Sequence, residues 1–339
     1  MTTKKKTPIL YNAIGWDPGY GNTKVCVGGK VAVVQSAVSV PREVGMVSIG
    51  MKAAGRNVRV VEMPNGDKYA VGEGAHNKGK MRTSMDYSAL TSQERRALFY
   101  AALSEAVSFG AGEFSPECKL AIGLPVPLLM DTTEAQAVID SLRSLKCEHR
   151  WKIGDQQFTV NIKSIMRLAQ PVGAYLDYAY DAEATTDKDG LKFERKQKPG
   201  VAEQEVLVID IGMNTLDVYV VRGGEVIENY AGGEAVGVHR LLELLATNGR
   251  DVFELDSELR RGKLKITGAQ MDSYLGEVLA GLKRVVPNLR RFDMVIPCGG
   301  GALVLGDKLQ YALIQKGATV TMPTNPVETN CVGFWKRLL

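Results

Sequence analysis

The strongest constraint on this chain is a pattern that occurs twice. Ala13–Val27 reads AIGWDPGYGNTKVCV, and Val206–Val220 reads VLVIDIGMNTLDVYV. In each, an apolar run ends in an aspartate. A glycine-containing turn with Asn-Thr follows, and a second apolar run leaves the turn. Short apolar runs bounded by Gly and Asn predict strands, and the polar turn between them predicts a hairpin. The two aspartates, Asp17 and Asp210, are 193 residues apart. That interval is too long for a solenoid, whose repeats run about 20–50 residues. It suits two related domains that face each other.

A polyphosphate needs backbone N–H groups aimed at it and no side chains in the way. Glycine allows both, because it reaches positive φ and brings the backbone close. Gly19 and Gly21 supply this in the first turn, and Gly212 in the second. Asn22, Thr23, Asn214 and Thr215 can add amide or hydroxyl donors, and Lys24 a positive charge. Tyr20 and Met213 complete the two turns. Asp17 and Asp210 repel phosphate, so they are expected to meet it through a hydrated Mg²⁺. Gly299, Gly300, Gly301 and Ala302 follow an apolar strand at Met294–Cys298 and are suited to close approach by a flat base or ribose. Each turn alone also fits an ordinary tight hairpin of Gly, Asn and Asp. Two matching turns favour a metal-bound nucleoside triphosphate between them. The GxxxxGK[ST] run is absent, and no GxGxxG opens a helix after a strand.

Strands and helices alternate through both halves, which argues an α/β class. Val31–Val34 extends the first hairpin. Residues from about 36 to 80 show no strong period and predict an inserted subdomain. Helices are predicted at Ser92–Phe109, at Thr132–Leu145 with Thr132 or Asp131 as cap, and at Pro171–Tyr180. Lys119–Leu124 predicts a buried strand that stops at Pro125, and Trp151–Ile162 a hairpin. The charged stretch 183–204 predicts a surface loop that divides the chain. Beyond it, helices are expected at Val238–Asn248, at Ala269–Leu289 with a break near Pro287, and at Cys331–Leu339. A late strand is expected at Ala318–Met322.

Length and composition narrow the function. The 339 residues favour about two domains, and 45% hydrophobic residues supply ample core and argue against disorder. A net charge of +4 gives little basis for direct nucleic-acid binding, which needs a concentrated basic face. The cysteines Cys26, Cys118, Cys147, Cys298 and Cys331 form no CxxC pair, and His76, His149 and His239 are far apart. No zinc spacing exists, and the scattered thiols fit a reducing cytoplasm. No apolar stretch reaches spanning length or signal-peptide form. Met1–Leu10 is too polar for a membrane-binding amphipathic segment.

The two hairpins and the GGGA segment, in that order, resemble the actin superfamily, and within it the ParM (StbA-type) plasmid-partitioning actins. GWDPGYGNTK resembles their first phosphate loop, IDIGMNTLD the second and GGGA the adenosine turn. AIGLP at Ala121–Pro125 and LAQPVGAY at Leu168–Tyr175 resemble the strand and helix that lead between the domains. The resemblance implies two ribonuclease-H-like, actin-type domains with ATP and Mg²⁺ in the cleft between them. The first would span about 1–168 plus a terminal helix at about 327–339, with an insertion at about 36–110. The second would span about 169–326, with an insertion at about 232–285.

The resemblance also implies roles. Gln170 falls where the family orients the attacking water, and Asp210 is the catalytic carboxylate of the second loop. An amide is no formal base, so slow, conformation-gated hydrolysis is expected. Arg260–Lys265 lies where relatives contact the base. Met213 and Asn214 depart from the family's small or acidic residues. The implied function is an ATP-dependent filament that segregates plasmid DNA through a small ParR-type DNA-binding adaptor, with hydrolysis triggering disassembly. Alternatives are a monomeric chaperone-type ATPase switch and a cytoskeletal actin. A sugar kinase would need a larger insertion and an acidic base near the turn, and a chaperone a long C-terminal substrate domain.

Overall fold

The fold was described from a computed structural model, which describes residues 9–41, 58–82, 90–108, 112–187, 190–246, 250 and 252–339. Ile9–Pro18 (β1), Asn22–Val27 (β2) and Lys30–Gln35 (β3) form an antiparallel meander. Four short strands follow: Val38–Pro41 (β4), Arg59–Glu62 (β5), Lys68–Val71 (β6) and Gly79–Met81 (β7). After helix Gln93–Ser108 (α1), the chain returns as Gly112–Leu124 (β8), parallel to β1. Helices Val126–Met130 (α2) and Thr132–Ser141 (α3) lead to Glu148–Ile153 (β9) and Gln156–Ala169 (β10). The sheet runs β3-β2-β1-β8-β10-β9-β5-β6-β4-β7.

Burial explains its centre. β8 lies parallel between β1 and β10, and Leu120, Ala121, Ile122 and Leu124 are fully buried. A strand covered on both faces requires such an apolar run. On one face, Trp16 stacks on Phe99 of α1 with ring centroids 4.3 Å apart.

Gln170–Ala179 (α4) leaves this sheet, and Tyr180–Asp187 (β11) and Gly190–Gln197 (β12) form a separate hairpin. The second sheet holds Glu205–Ile211 (β13), Leu216–Arg222 (β14), Glu225–Val226 (β15), Gly232–Glu234 (β16) and, after three helices, Met294–Cys298 (β17). β13 sits between β14 and β17 and is buried at every position. The three helices are Val238–Leu245 (α5), Val252–Arg260 (α6) and Gly268–Val285 (α7). A capping box between Thr267 and Gln270 starts α7, satisfying two end donors reciprocally. Gly299–Leu305 (α8), Asp307–Gln315 (α9) and Thr329–Leu338 (α10) complete the chain.

Some expectations are corrected. The stretch 183–204 is largely the β11–β12 hairpin, not a loop. Its charges mask a half-buried face: Ala182 and Phe193 pack with Trp335 of α10, whose ring stands edge-on to Phe193 at 5.1 Å. Ala318–Met322 contributes only a single bridge, Val320 to Val295. Helix α7 ends at Val285, before Pro287. Gly299–Ala302 is the first turn of α8, not a free turn. The weakly periodic segment contributes β4–β7 to the first sheet, with 42–57 outside the described residues.

α4 and α10 cross between the two sheets at glycines. A Cβ on Gly333 would overlap the Gly173 carbonyl, and one on Gly173 would overlap the Asn330 backbone. Such contact leaves no room for a methyl group. Gly333→Ala is expected to lose about 2 kcal/mol or more in urea denaturation. Wild-type stability in that variant would show that the helices part at no cost.

Candidate functional site

Hairpin register builds the site. In the first hairpin Asp17 pairs with Lys24, and in the second Asp210 pairs with Asp217. Both turns open on one cavity of about 370 Å³ between the sheets. The turns face each other closely: a Cβ on Gly21 would stand 3.1 Å from that of Met213.

Four buried carboxyls line this cavity: Asp17 at 1%, Asp217 at 2%, Asp256 at 5% and Asp210 at 6% exposure. Buried charges need partners. Lys24 Nζ lies 2.6 Å from Asp17 Oδ2, and Gln170 Nε2 donates to Asp17 Oδ1 at 2.9 Å. Asn330 Nδ2 donates to Asp210 Oδ2 at 2.7 Å and reaches Asp17 Oδ2 at 3.5 Å. The Asn330 Oδ1 accepts from the Ala174 N–H of α4 at 3.1 Å. One amide thus ties both hairpins to both crossing helices.

The electrostatics follow. Burial alone would push the Lys24 ammonium down, but the charge and hydrogen bond of Asp17, with the Asp210 charge, hold it above its ordinary value. Burial, then the Asp17 charge, pushes Asp210 up. Asp217 is pushed up to about 8 by burial and the Asp210 charge, despite a hydrogen bond from Thr215 Oγ1 at 3.0 Å. Its Oδ1 has no hydrogen-bond partner among the described residues.

The backbone of each turn is held by neighbouring elements. In the second, the first N–H groups of α5, on Val238 and His239, donate to the Gly212 and Met213 carbonyls at 3.0 and 2.7 Å. In the first, the Ser36 hydroxyl donates to the Gly19 carbonyl at 2.7 Å. Gly19, Gly21 and Gly212 do not adopt positive φ, which corrects one reason for expecting glycine there; Gly299 does, at +84°. Gly19 is required by close approach instead, since a Cβ would lie 2.8 Å from the Asn22 carbonyl.

The cavity wall includes Asp17, Gly19, Tyr20, Gly21, Asn22, Lys24, Gln170, Asp210, Gly212, Met213, Asn214, Thr215, Gly299 and Gly300. Thr23 and Ala302 are fully buried away from it, and Gly301 faces Ile211 and Tyr274 beneath. Lys24 faces the Asp17 carboxylate rather than standing free. Sequence reasoning missed Asp256 and the apolar wall of Val238, Leu259, Ile266, Met271, Leu303 and Val304. No motif marks these residues. Asp217 carried a signal, because the hairpin register alone sets it opposite Asp210.

At the mouth, α6 reaches across to the first sheet. Arg260 donates to the Gly21 carbonyl at 3.1 Å and to Asn22 Oδ1. Gln35 Nε2 donates to Asp256 Oδ2 at 2.8 Å, and Arg261 pairs with Glu73. Arg260, from the segment expected to contact the base, lines the cavity and meets the first turn.

Two facing α/β sheets, paired glycine turns and crossing helices define a two-domain actin-type fold. Residues 15–173 match the family of actin-like proteins, N-terminal domain. Solved structures of the same fold include an archaeal actin homologue in complex with ADP, 21% identical, covering 96% of this chain and 98% of that one with a TM-score of 0.66. A 15-stranded ParM filament from Clostridium botulinum is 19% identical over 97% and 99%, with a TM-score of 0.67. ParM from Bacillus thuringiensis with AMPPNP is 14% identical over 97% and 98%, with a TM-score of 0.63. No curated protein sequence matches the chain.

The raised Asp217 gives a pH signature. Between its ordinary value of 3.8 and about 8, the folded chain keeps a proton that the unfolded chain releases. Its contribution to stability is therefore lost as pH rises through that window. Asp217→Asn is expected to flatten the fall and to exceed wild type in urea resistance at pH 8. An unchanged slope would show that this carboxyl is ionised in the folded chain.

Proposed function

We propose that the chain binds ATP with a hydrated Mg²⁺ between its two turns, hydrolyses it slowly, and polymerises in the ATP state. The observation that supports this most is the pairing of two backbone turns with two adjoining buried carboxylates, Asp17 and Asp210, on one cavity. The turns offer N–H groups to phosphate, and the apolar wall suits a flat base.

The donor set fits a divalent cation held through water. Asp17 and Asp210 place two buried carboxyls beside a single ammonium, Lys24, which leaves room for further positive charge. Among the described residues no group of three acidic, histidine or cysteine side chains is set to ligate an ion directly. Phosphate and water oxygens would therefore fill most of its shell, as Mg²⁺ prefers. Bound there, Mg²⁺ supplies charge neutralisation for the polyphosphate.

Gln170 spends its amide N–H on Asp17, which leaves its Oε1 to accept a hydrogen bond from water. An amide orients water without taking its proton, so turnover should be slow. The α6 contacts to the first sheet tie closure of the mouth to the nucleotide's surroundings. In a filament, an open-ended head-to-tail contact between copies would read that closure. The relatives solved as filaments support self-assembly, and the ParM likeness supports DNA segregation through a small DNA-binding adaptor of ParR type.

Sedimentation should show pelleting at about tens of micromolar protein with ATP, and much less with ADP or no nucleotide. Binding without pelleting would leave a monomeric ATPase switch and sink the filament reading. Asp210→Ala is expected to abolish phosphate release while weakening ATP binding less. Unchanged turnover would remove Asp210 from the mechanism.

A further inference from the structure

The first turn is backed by a buried cation that no phosphate motif includes. Arg95 lies on α1, is 7% exposed, and does not line the cavity. Its guanidinium donates to the Gly19 carbonyl at 3.3 Å and reaches the Pro18 carbonyl at 3.5 Å. It also stands over the Tyr20 ring, 5.3 Å from the centroid. Burying a guanidinium is costly unless its donors are used. Here Nη1 is spent on the backbone of the turn itself.

We propose that Arg95 is a positioning residue for the nucleotide's phosphates, holding two carbonyls of the first turn outward so that the next N–H groups face the cleft. Peptide units are planar and trans, so the C=O and N–H of one unit point in opposite directions; no cis bond occurs among the described residues. Drawing the Pro18 carbonyl toward Arg95 turns the Gly19 N–H away from it. Drawing the Gly19 carbonyl toward Arg95 and Ser36 does the same for the Tyr20 N–H. Gly19 and Tyr20 both line the cavity, whereas Arg95 does not.

The second turn shows the same arrangement with different parts. There the N–H groups of α5 hold the Gly212 and Met213 carbonyls. α5, which follows β15 and β16, brings its first turn back against that hairpin. At the first hairpin, side chains from α1 and from Ser36 do the holding. The guanidinium also adds a positive charge behind the turn, where burial screens it less than at a surface.

This proposal rests on the ATP reading, and the test separates the two. Binding of ATP, ADP and adenosine would be measured by competition against a fluorescent ATP analogue, for wild type, Arg95→Met, Arg95→Lys and Ser36→Ala in the full chain. Arg95→Met is expected to weaken ATP and ADP about tenfold while adenosine stays within about twofold. Arg95→Lys, which keeps the charge and fewer donors, should fall between. If Arg95→Met fails to fold by circular dichroism, Ser36→Ala carries the test, with ATP weakened about threefold and adenosine unchanged. Equal losses for ATP and adenosine would reduce Arg95 to a packing role and overturn the proposal. Unchanged ATP affinity in the folded variants would overturn it while leaving the ATP reading intact. No ATP binding by wild type would overturn both.

Discussion

Everything at the centre of this molecule answers to two carboxylates that cannot be left alone. Asp17 and Asp210 come from different sheets and meet where α4 and α10 cross. Their charges are buried side by side, and like charges in a poorly solvated site repel. The chain offsets this with Lys24, with the Gln170 amide, and with Asn330, whose single NH₂ serves both carboxylates. Because Asn330 also accepts from α4, the charge balance and the helix crossing are one construction. The relative placement of the sheets is thus coupled to the ionic state of the cleft floor.

The glycines at Gly173 and Gly333 belong to the same construction. They let the two helix backbones touch, and that contact brings Asn330 within reach of both hairpins. A wider crossing would leave Asp210 buried without its amide partner. Buried carboxyls without donors shift toward their neutral form, and a neutral floor would attract a cation less. Packing at the crossing therefore sets the chemistry of the cavity.

Much of this was legible in the sequence, because hairpin strands ending in Asp-x-Gly turns depend on local chemistry alone. The matching pair at Asp17 and Asp210 gave the cleft, and the Cys298-Gly299 junction marked its third side. What local pattern could not supply were partners from distant elements. Asn330 and Asp256 reach the site only through tertiary packing. The β11–β12 hairpin was hidden for another reason. Its outward charges outnumber the few apolar residues that face Trp335, so composition read as a loop. Thr23 and Ala302 were over-read, since a position beside a turn does not fix which way its side chain faces.

Met213-Asn214 places larger side chains in the second turn than a phosphate-binding loop is expected to carry. The structure shifts that judgement. A phosphate loop binds through main-chain N–H groups, and their direction is set by whatever holds the neighbouring carbonyls. At the second turn α5 holds them, irrespective of the side chains at 213 and 214. The Met213 side chain instead lies against Gly21 of the opposing turn. A larger residue in place of glycine at 21 would wedge the hairpins apart, so this contact couples the two sides of the cleft by shape. Met213 thus bears on the fit between the turns, while α5 holds the carbonyls of the second.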